Sequence, residues 1–450
     1  MALTALDIYK LLPKTNCKDC GFPTCLAFAM QMAAGKAGID KCEHASEEAK
    51  RTLGEAAAPP LPKIVAGIGD RAVTMGDEVV LFRHEKTFYH PTAIAISISD
   101  ALPAEALRAR ARKIAALSFE RVGQTLSVDM TAVRCESGDP ARFAAAAASA
   151  LEAGGKPLLL VARCGALEAA IKEVGRSRPL LCPPPGETEK GARLAASEKL
   201  PLVVRARGIE GLAKALASAR AAGATELVAD PMPGETAQAV ADSVFIRRLA
   251  ITHRAREIAY PTAFDLGGAF PQPFAAACLL VAKYGSLVTL DTADPAEIFP
   301  ILTLRQNLYT DPQRPIQVEA GIYPIGKVAP TSPVLVTTNF SLTYFTVRGD
   351  VESAKTPVYL LIADCDGMSV LTAWAAGKFT SESIAGILSE SGIAAHVAHR
   401  TLILPGMVAR LSGKLEELSK WRVLVGPQES SALPSYLRRL PPAAFLATHG

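Results

Sequence analysis

The sequence predicts an α/β protein in three parts: a small N-terminal cysteine-bearing domain (residues 1–58), a central TIM (β/α)8 barrel (59–314) and a C-terminal open, Rossmann-like α/β domain (315–450). Three observations carry this. Cys17, Cys20, Cys25 and Cys42 crowd the start of the chain, whereas Cys135, Cys164, Cys182, Cys278 and Cys365 are scattered through apolar surroundings. Apolar runs then alternate with helical patterns eight times at a steady spacing. A second, shorter alternation begins near Pro315.

The N-terminal part opens on an amphipathic helix ended near Pro13, and Cys25 opens a second, LAFAMQMAAGKAG, that Gly38 would end. The Ala/Pro stretch Gly54–Pro62 reads as a linker. After a strand-like stretch over 64–82, the barrel strands are expected at Ala93–Ile98, Thr125–Met130, Pro157–Ala162, Pro179–Cys182, Leu202–Arg205, Glu226–Asp230, Ile258–Thr262 and Ser286–Leu290. Segments such as Pro103–Leu117, Ala141–Ala153, Gly208–Ala222 and Glu235–Arg256 are long enough for crossover helices. Such a barrel is small, at about 200 residues. In the third part the strands are Val334–Thr338, Tyr359–Ala363, Thr401–Leu404 and Arg422–Val425, with helices at Val370–Lys378, Ser381–Ser389, Met407–Leu418 and Ala432–Arg439. Open sheets of this kind bind ligands at the carboxyl ends of their strands. There the loops TTNFSLT, DCDGMS, PGM and GPQESS offer small polar groups to a large polar cofactor.

Composition removes several function classes. With 450 residues, 49% hydrophobic and 20% charged, the chain has room for about three packed domains. The excess of 48 Lys and Arg over 44 Asp and Glu is too small for a basic nucleic-acid face. The N-terminus lacks the layout of a secretory signal, so a cytoplasmic protein is expected. The longest uncharged stretch, Val328–Val347, holds too many Thr, Ser and Pro to cross a bilayer.

The cysteine spacing C-x2-C-x4-C-x16-C lets four thiolates from one short segment converge, because Gly21 and Pro23 fold the loop back. This favours a 4Fe-4S cluster on Cys17, Cys20, Cys25 and Cys42. Structural zinc is the competing reading, although zinc sites usually offer two close pairs and only Cys17 and Cys20 form one here. Strand-end polar residues Ser99, Asp100, Arg163, Arg205, Asp230, Asp265 and Asp291 sit where a barrel would do chemistry, but form no paired motif and read as caps and ion pairs. His84 and His90 lack metal-ligand spacing. The glycine turns GIGD (67–70) and DLGG (265–268) complete neither a dinucleotide nor a phosphate-loop fingerprint.

The segments CKDCGFPTC, LFRHEKTFYHPTAIAI (81–96), RQNLYTDPQRPI (305–316), VTTNFSLTYFTVRGDVES and YLLIADCDGMSVLTAWAAGKF together resemble the large (gamma) subunit of the corrinoid iron-sulfur protein of the acetyl-CoA decarbonylase/synthase (Wood–Ljungdahl) system. The resemblance spans essentially the whole chain. It implies a methyl-carrier subunit: a corrinoid whose Co(I) accepts a methyl group from methyltetrahydrofolate on a methyltransferase and delivers it to acetyl-CoA synthase. The 4Fe-4S cluster would restore cobalt that has slipped to Co(II). Implied partners are a small subunit forming a heterodimer, the two enzymes named, and a reductive activator protein; no nucleic acid or membrane is implied. The histidine motif D-x-H-x-x-G, by which many cobalamin-dependent methyltransferases ligate cobalt, is absent, so the cobamide is expected base-off. Carried over onto this sequence, the corrinoid contacts are Thr338, Asn339, Ser341 and Thr346 of the first loop, Ser369, Val370, Leu371, Thr372 and Ala373 after the second strand, Gly406 after the third, and Gly426 and Pro427 after the fourth. The alternative from another class is an iron-sulfur electron-transfer subunit with a scaffold barrel.

Overall fold

The computed structural model describes residues 4–33, 36–50, 53, 59–310, 315–441 and 445. Residues 54–58 of the expected linker and 311–314 at the expected second boundary lie outside them. Contacts divide the chain into two units, residues 1–119 with 126–309, and residues 120–125 with 310–450.

In the first unit, Thr4 caps helix Ala5–Leu11 in a reciprocal box with Asp7. Helix Cys25–Ala33 begins where the Cys25 amide donates to Asn16 Oδ1 at 2.8 Å. Ile8, Leu12, Phe28, Ala29, Ala45, Ala49 and Leu53 bury one another together with Cys25 and Cys42, a small core separate from the barrel's.

A two-stranded antiparallel hairpin, β1 (Ile64–Ala66) and β2 (Val73–Met75), follows. Its Ile64, Ala66 and Met75 pack against Ala93, Met130, Leu180, Ala263 and Leu287, the first residues of five barrel strands, and so plug the barrel's N-terminal end. The strands are β3 (Ala93–Ser99), β6 (Met130–Arg134), β7 (Leu158–Val161), β8 (Leu180–Cys182), β9 (Leu202–Arg205), β10 (Leu227–Asp230), β11 (Ala263–Asp265) and β12 (Leu287–Leu290); a hairpin, β4 (Ser118–Arg121) and β5 (Gln124–Ser127), is inserted before β6. All eight barrel strands run parallel in the order β10-β9-β8-β7-β6-β3-β12-β11, and a parallel bridge between Ala229 and Thr262 joins the ends. Helices at 104–115, 140–154, 164–174, 188–198, 208–221, 236–251, 273–282 and 295–309 follow the strands in turn. The expected (β/α)8 pattern is therefore present as a nearly closed barrel.

Two strands sit elsewhere than expected. The seventh falls at Ala263–Asp265 rather than 258–262, because Pro261 has no amide to give the ladder and regular pairing starts beyond it. The second falls at Met130–Arg134, the polar stretch before it being the β4–β5 hairpin turned at Val122 and Gly123, both at positive φ.

The second unit is a five-stranded sheet in the order β13-β15-β14-β16-β17: β13 (Gly321–Ile325), β14 (Val334–Thr338), β15 (Val358–Ala363), β16 (Thr401–Leu404) and β17 (Arg422–Val425). Only β13, which the sequence reading omitted, runs antiparallel. The chain leaves central β14 for β15 on one side and returns to β16 on the other, so the strand order reverses between β14 and β16. Five residue pairs join β14 to β15, but only Val334–Leu402 and Leu335–Ile403 join β14 to β16. The two strands thus part toward their carboxyl ends, and a crevice opens there.

Candidate cofactor and metal sites

All four N-terminal cysteines are free thiols: Cys17 and Cys20 are half-buried, Cys25 and Cys42 buried. Burial pushes the Cys42 thiol up, the neighbouring thiols of Cys20 and Cys25 add to the rise, and backbone hydrogen bonds oppose it. Those neighbours place three of the thiols around one locus. The fourth, Cys17, lies with Asp19 and His44 in a group whose ligand atoms are all within 4.8 Å of one another; His44 Nε2 is 2.7 Å from Asp19 Oδ2. No three of the four cysteines form such a close group among the described residues. A single tetrahedral zinc would draw its thiolates to about 3.8 Å from one another, given Zn–S bonds of about 2.3 Å. Four free thiols on one short segment are a donor set that fits an iron-sulfur centre.

The crevice between β14 and β16 is a cavity of about 430 Å³. Leu335, Val336, Leu360, Ile403 and Leu404 floor it, while Phe340, Leu342, Met407 and Leu433 wall it. Of the expected contact residues, Thr346, Ser369, Val370, Leu371, Gly426 and Pro427 line it. Thr346 does so from helix Ser341–Ala354, which the sequence reading took as loop, and its hydroxyl donates to the Leu342 carbonyl at 2.7 Å. The structure does not place Thr338, Asn339, Ser341, Thr372, Ala373 or Gly406 in the lining.

Each of these has a local reason. Ala373 is fully buried in the core beneath helix Val370–Ala375, and Thr372 is on that helix's exposed side, near Ser369 Oγ. Asn339 is saturated: its Oδ1 accepts from the amides of Cys365 and Gly367, and its Nδ2 donates to Gln317 and Asp364, all within 3.0 Å. It ties the loop after β14 to the loop after β15. Ser341 begins its helix buried, and Thr338 is fully buried. Gly406 is needed because its backbone touches the β17 loop. A Cβ there would come within 2.5 Å of the Gly426 carbonyl oxygen and 2.7 Å of Pro427. Gly406→Ala should therefore cost about 1–3 kcal/mol in the stability of this unit, read as a lower urea midpoint.

Thr337 was missed, although it stood in the first polar loop. Its hydroxyl is buried in the cavity wall without a hydrogen-bond partner. A buried hydroxyl without a partner beside a cavity is a group that a bound ligand could satisfy after a small local shift, and Thr338 carries another. With apolar walls for a macrocycle and strand-end loops for its amides, the crevice fits the edge or tail of a corrinoid. Among the described residues no histidine lines it. His399 lies at the opposite strand ends, its Nε2 3.0 Å from the Ser332 carbonyl and its Nδ1 accepting from the Thr401 amide.

At the carboxyl end of the barrel, Arg205, Asp230, Asp265 and Asp291 are joined by Arg134, which the sequence reading did not single out. Arg134 Nη1 bonds Asp265 Oδ2 at 2.9 Å, Arg205 Nε bonds Asp230 at 3.0 Å, and Arg205 also lies 3.8 Å from Asp265. Ser97 and the Gly268 amide hold Asp291. Burial pushes the Asp230 carboxyl up to about 6 against the pull of Arg205. Burial also raises Asp265, which is more exposed, yet Arg134's hydrogen bonds and charge bring it below the ordinary carboxylate range. The void left inside measures about 20 Å³, room for about one water. This end is a salt-bridged stopper with no space for a substrate. The remaining nominees are structural: Asp100 accepts from the Glu136 and Ser137 amides, Ser99 bonds Glu136, and Arg163 pairs with Glu187 at 2.8 Å. His84 stacks on Phe82, and His90 is 3.9 Å from Asp77.

Among the described residues no helix is long and apolar enough to cross a membrane. Residues 63–437 match the family model described as CO dehydrogenase/acetyl-CoA synthase delta subunit, and residues 12–44 match one described as "Putative Fe-S cluster". The chain is similar to the corrinoid/iron-sulfur protein large subunit of Moorella thermoacetica, 47% identical over 97% of this chain and 99% of that one. It is also similar to the acetyl-CoA decarbonylase/synthase complex subunit gamma of Methanothermobacter thermautotrophicus, 37% identical over 98% of this chain and 99% of that one. Among solved structures, dihydropteroate synthase from Thermus thermophilus aligns over 54% of this chain and 99% of its own, at 18% identity and a TM-score of 0.36.

Proposed function

Since the chain belongs to the family of corrinoid/iron-sulfur protein large subunits and acetyl-CoA decarbonylase/synthase gamma subunits, we propose that it is the methyl-carrier subunit of a corrinoid iron-sulfur protein, with the cluster at its head and the corrinoid at its tail. When bound, the corrinoid supplies a cobalt nucleophile that takes a methyl group from methyltetrahydrofolate on its methyltransferase and yields it to acetyl-CoA synthase, while the 4Fe-4S cluster supplies the electron that restores lapsed cobalt. The single observation that carries the reading is the crevice between β14 and β16, with Thr337 in its lining and no histidine there among the described residues.

What the chain's own residues do follows from that placement. Cys17, Cys20, Cys25 and Cys42 ligate the cluster. Thr337, Ser369 and the loops at Pro405 and Gly426 offer hydroxyls and backbone groups to corrin amides, and Leu342, Leu371 and Met407 form the apolar rim. A crevice that offers no imidazole would leave a bound cobalt base-off and easier to reduce. The division into residues 1–58, 59–314 and 315–450 suits a head and a tail carried on an inert scaffold. Its partners in this reading are a small subunit completing a heterodimer, the methyltransferase, acetyl-CoA synthase and a reductive activator protein.

The test is the absorption spectrum of the purified heterodimer. Base-off corrin bands over a broad iron-sulfur background are expected, and iron-sulfur absorption alone would leave an electron-transfer subunit. Thr337→Val sharpens it. Losing a hydroxyl that has no partner in the free protein should leave stability unchanged or slightly higher, while corrinoid affinity falls about three- to tenfold. Unchanged affinity would remove Thr337 from the site.

A further inference from the structure

We propose that the N-terminal end of the barrel carries a second ligand site, one that binds a small phosphate-bearing organic anion. A cavity of about 710 Å³ opens there, within the range of small-molecule sites. It is lined by the loop between β1 and β2 (residues 70–74), by His90 and Pro91 before β3, by residues 127–129 before β6, by residues 154–157 before β7, and by Arg305 of the last barrel helix. Three cations from three separate elements meet in it: Arg71, Lys156 and Arg305.

Their partners are almost all backbone carbonyls. Arg71 Nη1 donates to Gly155 O at 2.7 Å and Lys156 Nζ to Val128 O at 2.7 Å. Arg305 donates to Thr92 O and Ser127 O, both at 2.8 Å, and to Asp129. Asp129 is itself committed, accepting from the Ile94 amide at 2.8 Å as well as from Arg305. Asp70 is exposed at the rim, and His90 faces Asp77. Among the described residues neither Arg71 nor Lys156 has a carboxylate within ion-pair distance. The cavity therefore holds three cations, Arg71, Lys156 and Arg305, against two carboxylates, Asp70 and Asp129, a net positive charge that favours an anion.

Two further features support a built site. Burial pulls the Lys156 ammonium down, Asp129 pulls it up, and the charges of Arg71 and Arg305 press it down further, so the three sense one another. Gly155 has φ +64°, and a Cβ on it would lie 2.3 Å from Arg71 Nη1. Gly155 is also the left-handed C-cap of the helix over 140–154, and a side chain there would displace the guanidinium from that carbonyl. The GIGD turn, which completes no nucleotide fingerprint, thus serves to bring Arg71 to the site.

Calorimetric titration of the full-length protein with orthophosphate and with adenosine 5′-monophosphate, at matched ionic strength, tests this. Saturable binding of the ester below about 1 mM, tighter than that of orthophosphate, is expected. Arg71→Gln and Lys156→Gln, each checked for an unchanged melting temperature, should weaken it at least about tenfold. Equal affinity for the two probes would reduce the site to one for free phosphate and overturn the organic ligand. No saturable binding at about 10 mM, or binding that both variants retain in full, would overturn the site itself.

Discussion

Cys25→Ala or Cys42→Ala is expected to abolish the iron-sulfur absorption and strip iron and sulfide from the protein, with corrinoid occupancy unchanged. Both residues are buried in the small N-terminal core, Cys25 at the first turn of its helix and Cys42 where the chain returns to the cluster loop. A missing thiolate leaves a multi-iron centre with an open iron, and no other cysteine of the chain is free to move in, since the remaining five sit in the other segments. Reductive reactivation should be lost, while methyl transfer from protein reduced chemically beforehand should survive. Equal loss of both would contradict a division of labour between head and tail. Zinc in place of iron in the unaltered protein would remove the cluster from the account altogether.

How far the sequence can be read depends on the signal each part leaves. Cys17, Cys20, Cys25 and Cys42 were legible because ligand spacing is local and needs no tertiary knowledge. The barrel was legible as a period, and its errors fell where a local rule outweighed hydrophobicity, as at Pro261. The tail cavity was legible only as a place. Strand-end loops were foreseen, but which side chains face the crevice depends on where helix Ser341–Ala354 begins, and one residue of difference exchanges Thr337 for Thr338. Asn339 was expected at the corrinoid, and its amide is engaged in holding the loops after β14 and β15 together. Arg134 ends an ordinary strand, MTAVR, and its importance appears only when β11, some 130 residues later, brings Asp265 against it.

Arg134→Leu should destabilise the first unit by about 3–5 kcal/mol, because it leaves the Asp265 charge with only the Gly267 amide at 3.1 Å and Arg205 at 3.8 Å to hold it. Arg134 and Asp265 are 19% and 25% exposed, so water relieves little of that cost. The paired change Arg134→Leu with Asp265→Leu should recover most of the loss, as it removes both charges together. The pH dependence separates this from a simple packing defect. In the unaltered protein Asp265 titrates below its unfolded value, so its contribution to stability is present above about pH 4 and disappears as the pH falls through its folded value. In the variant only the Gly267 amide and Arg205 still favour the charged carboxyl while burial lifts it, so acid relieves the strain instead. The gap in urea midpoint should therefore be full at pH 7 and narrow toward pH 4. Asp230 runs the opposite way, its folded value being raised to about 6, so its contribution wanes as the pH climbs from about 4 through 6. That trend is present in both proteins, and because Asp265 and Arg205 both act on Asp230 the difference carries a coupling between the two carboxyls. A gap of constant size across this range would mean that Arg134 acts through its bulk and not its charge.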